Sequence, residues 1–96
     1  MNPARVRRED VKQLTDLPNV GPKIAAALGE IGIHDPGDLQ GADPWVLYQA
    51  LCTARGERQD PCVLDVFIAI TRFADGAPPK PWWAFTAERK SRHPDI

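Results

Sequence analysis

The dipeptide Asp-Pro occurs three times in this chain of 96 residues, at positions 35–36, 43–44 and 60–61. Aspartate is a favoured residue just before a helix, because its carboxylate accepts unpaired backbone N–H groups of the first turn. Proline suits the next position, where its missing N–H costs little and its fixed φ is already helical. We therefore expect three helices to begin here: a short connector that ends at Gly41, a helix at about 44–54 and a helix at about 61–74.

Hydrophobic spacing predicts two more helices, at about 8–16 and at about 22–31. The segment at 61–74 is the most apolar part of the chain, so we expect it to be the central helix against which the others pack. Its polar exceptions, Asp65 and Arg72, lie seven residues apart on one stripe. No alternating strand pattern occurs. The sequence thus predicts a compact all-α domain of five helices.

A tight turn is predicted between the first two helices, at Leu17-Pro18-Asn19-Val20-Gly21-Pro22-Lys23. Pro18 ends the first helix, because it disfavours helical backbone at the preceding residue. Asn19 tolerates a left-handed backbone and Gly21 allows close approach. Pro22 opens the second helix, so unpaired N–H groups and the positive end of the helix dipole face outward beside a lysine. The pattern predicts an anion site made by five backbone amides: Asn19, Val20, Gly21, Lys23 and Ile24.

The same turn resembles the helix-hairpin-helix element, which usually carries Pro-Gly-apolar-Gly where this chain has Pro18-Asn19-Val20-Gly21. That resemblance implies that the hairpin amides grip nucleic-acid phosphates without reading bases. The departure from the pattern adds the Asn19 side chain to the contact surface. The hairpin half is also similar to the C-terminal domain of the competence regulator TfoX.

A longer similarity covers about residues 9–85, through Leu39 to Phe73 and on to Lys80-Pro81-Trp82-Trp83. Over this length the chain resembles the pathogenicity-locus family of small bacterial helix-hairpin-helix proteins, some of which are labelled mitomycin-resistance proteins. The resemblance implies a tandem helix-hairpin-helix (SAM-like) arrangement. The second hairpin, between Ala54 and Pro61, is degenerate, and we expect it to have no phosphate-binding role.

Charge is unevenly distributed along the chain. The net charge of −1 does not by itself suggest a nucleic-acid binder. Basic side chains outnumber acidic ones in residues 1–29 and 80–96, whereas acidic ones dominate residues 30–79. A weakly basic hairpin end and tail thus flank an acidic middle, although an ordinary solvated surface gives the same pattern. No secretory run and no stretch of about 18 apolar residues is present, which predicts a cytoplasmic protein without membrane contact.

The C-terminal part is expected to leave the helical body and return to it. Residues 75–81 are rich in proline and predict an extended crossing. The aromatic segment Trp82-Trp83-Ala84-Phe85 either packs back onto the body, which we favour, or stacks on unpaired bases. Residues 88–96 are polar and predict a flexible tail, so the single domain spans residues 1–87, with a frayed start at 1–7.

The cysteines Cys52 and Cys62 flank the loop between two predicted helices. They could form a disulfide or a redox pair, with the pKa of Cys62 lowered at a helix N-terminus, or join His34 and His93 around zinc. Neither Cys-x-x-Cys nor His-x₃-His spacing is present, and we favour buried, unreactive thiols in a reducing cytosol.

No catalytic arrangement was found, since paired carboxylates, a Ser/His/Asp set and a glycine-rich nucleotide loop are all missing from the sequence. We expect a non-enzymatic protein without cofactors that binds the DNA backbone weakly and without sequence preference, through the hairpin amides and Lys23. The alternative is a protein-interaction adaptor in which the hairpin only packs. The sequence decides neither the partner nor the oligomeric state.

Overall fold

Four α-helices form the body of the protein in a computed structural model that describes residues 3–96: α1 (Pro22–Glu30), α2 (Pro44–Arg55), α3 (Pro61–Ala74) and α4 (Thr86–Arg92). Short 3₁₀ turns precede or join them, at Pro3–Arg5, Arg8–Asp10, Leu14–Asp16, Pro36–Leu39 and Trp82–Phe85. The radius of gyration is 12.4 Å, close to the roughly 12.5 Å expected of a folded chain of this length. Residues 3–96 contain no strand, so the predicted all-α class is confirmed, whereas the count of five helices is wrong.

The Asp-Pro dipeptides mark the starts of helical segments, as predicted. Asp43 and Asp60 each accept the backbone N–H two residues further on, at 2.9 Å, at the starts of α2 and α3. Asp35 accepts the N–H of Gly37 at 2.9 Å in the same way. The segment that follows Asp35 is a 3₁₀ turn, Pro36–Leu39, and not an α-helix. It ends two residues before the predicted end at Gly41.

Residues 8–16 do not form the predicted α-helix but two 3₁₀ turns separated by a non-helical stretch. The Asp16 carboxylate accepts the backbone N–H groups of Lys12 and Gln13, at 3.1 and 3.0 Å. A side chain that satisfies these donors competes with the hydrogen bonds of a continuous α-helix, which is why helical structure is interrupted before the turn at Leu14–Asp16. Leu17 has the extended backbone expected of a residue before proline, with φ −69° and ψ 151°.

The N-terminal segment is held against the end of α3. The Arg8 guanidinium donates to the main-chain oxygens of Phe73 and Ala77 and lies 4.1 Å from the centre of the Phe73 ring. Of the start predicted to fray, residues 1 and 2 lie outside the described residues. Pro3–Arg5 forms a 3₁₀ turn, and Val6 packs against the core.

The predicted central helix is confirmed in α3. Every residue from Leu64 to Thr71 is buried, as is Phe73. The side chains packed around α3 come from the turns at 14–20, from α1, from the connector and from α2, and they include Leu14, Leu17, Leu28, Leu39, Tyr48 and Leu51. None of the described helices combines the length and the apolar character needed to cross a membrane.

Helix α4 covers the polar stripe of α3, where the sequence predicted a flexible polar tail. Asp65 is fully buried and accepts hydrogen bonds from Arg89 Nε at 2.9 Å and from the Thr86 hydroxyl at 2.8 Å. Nearer the surface, Arg72 forms a hydrogen-bonded ion pair with Glu88. The hydrogen bond from Arg72 lowers the pKa of Glu88. Residues 86–92 are therefore helical and not extended, and Thr86, Glu88 and Arg89 each meet a partner on α3.

Candidate nucleic-acid interface

The turn before α1 has the backbone that its sequence predicts. Leu17 and Pro18 are buried, and Asn19 has a left-handed φ of 69°. Val20 points into the core with 7% of its surface exposed. Gly21 then precedes the helix, Pro22 occupies its first position, and Gly21, Pro22 and Lys23 are exposed. The turn thus presents its backbone to solvent at the start of α1.

The amides of the predicted anion site fall into two groups. The N–H of Val20 donates to the carbonyl of Leu17 at 3.4 Å, so this amide is already engaged. For the other predicted amides, those of Asn19, Gly21, Lys23 and Ile24, no acceptor is found within the described residues. The first bond of α1 runs from Ala25 N to the oxygen of Gly21 at 3.0 Å, as expected when the preceding donors are left open.

The start of α1 differs chemically from those of α2 and α3. At α2 and α3 an aspartate carboxylate accepts a first-turn N–H and places a negative charge there. At α1 the corresponding residue is Gly21, which has no side chain to do either. An incoming anion would be repelled at α2 and α3, whereas at α1 it meets open donors and the positive end of the helix dipole.

Two lysines lie at this turn. Lys23 is exposed on the first turn of α1, and the main chain of Lys80 is held against Asn19. A groove of about 390 Å³ beside Lys23 also reaches Arg55. The Arg55 guanidinium, however, pairs with Glu30 at 2.6 Å and lowers its pKa, so its charge is largely neutralised locally.

The Asn19 side chain binds the C-terminal crossing, which the sequence did not predict. Its Nδ2 donates to the carbonyl of Lys80 at 2.8 Å, and its Oδ1 accepts the N–H of Trp82 at 3.0 Å. The carboxamide is therefore turned toward residues 80–82. The sequence signal for this contact is the asparagine itself, because glycine at this position would keep the turn but could not hold another segment.

Replacing Asn19 with glycine is expected to keep the turn and release the crossing. Glycine adopts a positive φ without strain, whereas the two lost hydrogen bonds are worth about 1 kcal/mol each. We expect the helical circular dichroism spectrum to be unchanged and the Trp82 amide to exchange with deuterium faster, as measured by NMR. Asn19→Asp keeps the acceptor for Trp82 N–H and should show a smaller change. Equal protection of Trp82 in all three proteins would contradict the assignment.

The aromatic segment divides between core and surface. Trp82 and Phe85 are half-buried and pack against the core, as the favoured interpretation predicted. Trp83 is 61% exposed. Its ring centre lies 5.6 Å from that of Trp82, with the two ring planes at 85°.

The cysteines are free, half-buried thiols. A hydrogen bond with Asp60, followed by burial, raises the pKa of Cys62. The shift is opposite to the lowered pKa that a helix N-terminus could give, because the capping carboxylate of Asp60 faces the thiol. Across residues 3–96 no three histidine, cysteine, aspartate or glutamate side chains are grouped closely enough to hold a metal ion.

Fold and turn together define a small all-α protein with an exposed turn before its first α-helix, whose start has no side-chain cap. The pathogenicity-locus family Cdd1 matches residues 7–91, and the chain belongs to this family. It is 42% identical over 81 residues to the mitomycin resistance protein McrB of Streptomyces lavendulae, an alignment that covers 84% of this chain and 77% of that protein. No solved structure matches.

Proposed function

We propose that this protein binds the phosphate backbone of nucleic acid, without sequence preference, through the turn at Asn19–Ile24. This turn would act as the hairpin of a helix-hairpin-helix element in which the 3₁₀ turn Leu14–Asp16 takes the place of the first helix. The observation that carries the proposal is the open start of α1. The amides of Gly21, Lys23 and Ile24 find no acceptor in the described chain, and the capping residue brings no carboxylate. A phosphate oxygen accepts from such donors, and the Lys23 ammonium adds a mobile positive charge.

The proposed interface is small, so we expect its affinity for nucleic acid to be low. One turn and two lysines neutralise two or three phosphates, whereas proteins that bind nucleic acid tightly neutralise many more. Non-specific affinities are typically about 10⁻⁴ to 10⁻⁶ M, and we place this protein at the weak end. Such a protein acts as a cytoplasmic binding module rather than an enzyme. The mitomycin resistance recorded in the name of the relative is the cellular role that we propose to examine first.

Replacing Lys23 with glutamate is expected to abolish most binding to DNA. The change removes one cation and places an anion beside the open amides. Fluorescence anisotropy with labelled DNA should give a slope of log affinity against log salt of about −2 to −3 for the wild type, and a much smaller slope for Lys23→Glu. Lys90, exposed on α4, provides the matched control, since Lys90→Glu makes the same change in charge elsewhere.

Binding that is equal in the wild type and in Lys23→Glu, or that vanishes for all proteins at low salt, would contradict the proposed function. It would favour the second candidate, an adaptor that docks on another protein. That candidate is supported by two large apolar side chains at the surface, Val46 and Trp83, which are 57% and 61% exposed. Surface tryptophans are frequent anchors of protein interfaces.

A further inference from the structure

Trp83 offers an open aromatic face directly after a residue that Asn19 binds. Although it touches Trp82 edge to face, 61% of its surface remains exposed. A large aromatic side chain at the surface of a monomer is costly to hydrate, and it gains stability when a flat apolar partner covers it. Its neighbours Trp82 and Phe85 already pack against the core. Trp83 is therefore the aromatic of this segment that is left for a ligand.

The Asn19 side chain fixes the position of Trp83 relative to the turn. It holds the carbonyl of Lys80 and the N–H of Trp82, at 2.8 and 3.0 Å. Trp83 follows directly, so its main chain begins one residue from a group that is bonded to the turn. The bonds of Asn19 thus join the turn to the residue just before the exposed indole, across about sixty residues of sequence.

The charge of the turn and of the segment bonded to it suits a polyanion. Lys23 and Lys80 are both exposed, and neither takes part in the ion pairs found within residues 3–96. A ligand that satisfies cations, amide donors and an aromatic face must carry anionic oxygens and flat apolar rings in alternation. A nucleic-acid strand has this chemistry. In a duplex the base faces are hidden by stacking, whereas in a single strand they can be turned outward.

We infer that Trp83 stacks on an unpaired base of a strand whose phosphates contact the turn, so that the protein selects single-stranded over double-stranded nucleic acid. The inference rests on the proposed function, and it adds the class of nucleic acid. Stacking on an aromatic side chain is tolerant of sequence because every base has a π-face. Selection for unpaired strands therefore arises here without any reading of bases.

The test compares three DNA ligands of equal length by anisotropy: a normal single strand, a strand of abasic sugars and a blunt duplex. The abasic strand keeps the phosphates and lacks the rings. We expect Trp83→Ala to lower the affinity for the normal strand by about 5- to 150-fold for one stacked base. The same change should lower the affinity for the abasic strand by less than twofold. Trp83→Phe should restore most of the loss, because phenylalanine retains an aromatic face.

Val46→Ala is the matched control, since it removes an exposed apolar side chain from α2 and should leave all three affinities unchanged. An equal loss on normal and abasic strands, or no loss in Trp83→Ala, overturns the stacking inference. If Lys23→Glu still weakens binding in that case, backbone binding through the turn stands. If instead Trp83→Ala weakens binding to the normal strand and Lys23→Glu does not, the stacking contact stands and the phosphate-binding turn is wrong.

Discussion

Replacing Arg89 with alanine is expected to lower the free energy of unfolding by about 3–5 kcal/mol. Arg89 is 8% exposed and donates through Nε to Asp65, whose side chain is completely buried. Removing the guanidinium leaves a carboxylate inside the protein with the Thr86 hydroxyl as its remaining partner in the described chain. A domain of this size is typically stable by about 5–15 kcal/mol, so the variant should approach the point of unfolding. Urea denaturation followed by circular dichroism measures the loss.

The controls for Arg89 separate charge burial from loss of packing. Arg92→Ala removes an arginine from the same helix that is 67% exposed, and it should change stability by less than about 0.5 kcal/mol. The double variant Asp65→Leu with Arg89→Met removes both charges and fills the space with apolar groups. It should recover most of the stability lost in Arg89→Ala. A cost below about 1 kcal/mol for Arg89→Ala would show that Asp65 is reached by water.

Replacing Phe67 with alanine is expected to lower the free energy of unfolding by about 3–5 kcal/mol, because it opens a cavity in the core beside the middle of α3. Phe67 is fully buried and is the largest of the completely buried side chains in the described residues. Phe67→Leu, which keeps most of the volume, should cost much less, about 1.5 kcal/mol or below. Urea denaturation of the two variants gives the comparison. Similar costs for both would mean that the surrounding side chains collapse into the space.

The boundaries of the long helices were predictable because local chemistry decides them. Asp43 and Asp60 hold the first turns of α2 and α3 wherever the rest of the chain lies. The same holds for the turn at Asn19, whose positive φ follows from the prolines on either side and the tolerance of asparagine. The α-helix predicted at residues 8–16 is absent, because the carboxylate of Asp16 accepts the backbone N–H groups of its own neighbours. Hydrophobic periodicity cannot distinguish such a capping carboxylate from an acid that is simply exposed.

The C-terminal helix could not be predicted, because its stability comes from partners that are far away in sequence. Thr86 and Arg89 look like surface residues until Asp65 is placed opposite them. Likewise, only part of the candidate site could be predicted from the sequence. The open amides of the turn follow from Pro18 and Pro22, whereas the placement of Lys80 and Trp82 against the turn depends on the bonds of the Asn19 side chain.

The bonds of Asn19 also imply an order of events when the protein is made. Helices α2 and α3 are joined by the short loop at 56–60, so they can pair as soon as both have formed. The contacts of Arg8 and Asn19 instead close loops of more than sixty residues, and such closures are entropically slower to achieve. We expect the contacts of Asn19 to stay unformed on the ribosome until Trp82 has emerged, so that α1, α2 and α3 are all synthesised before the turn is bonded to the later segment.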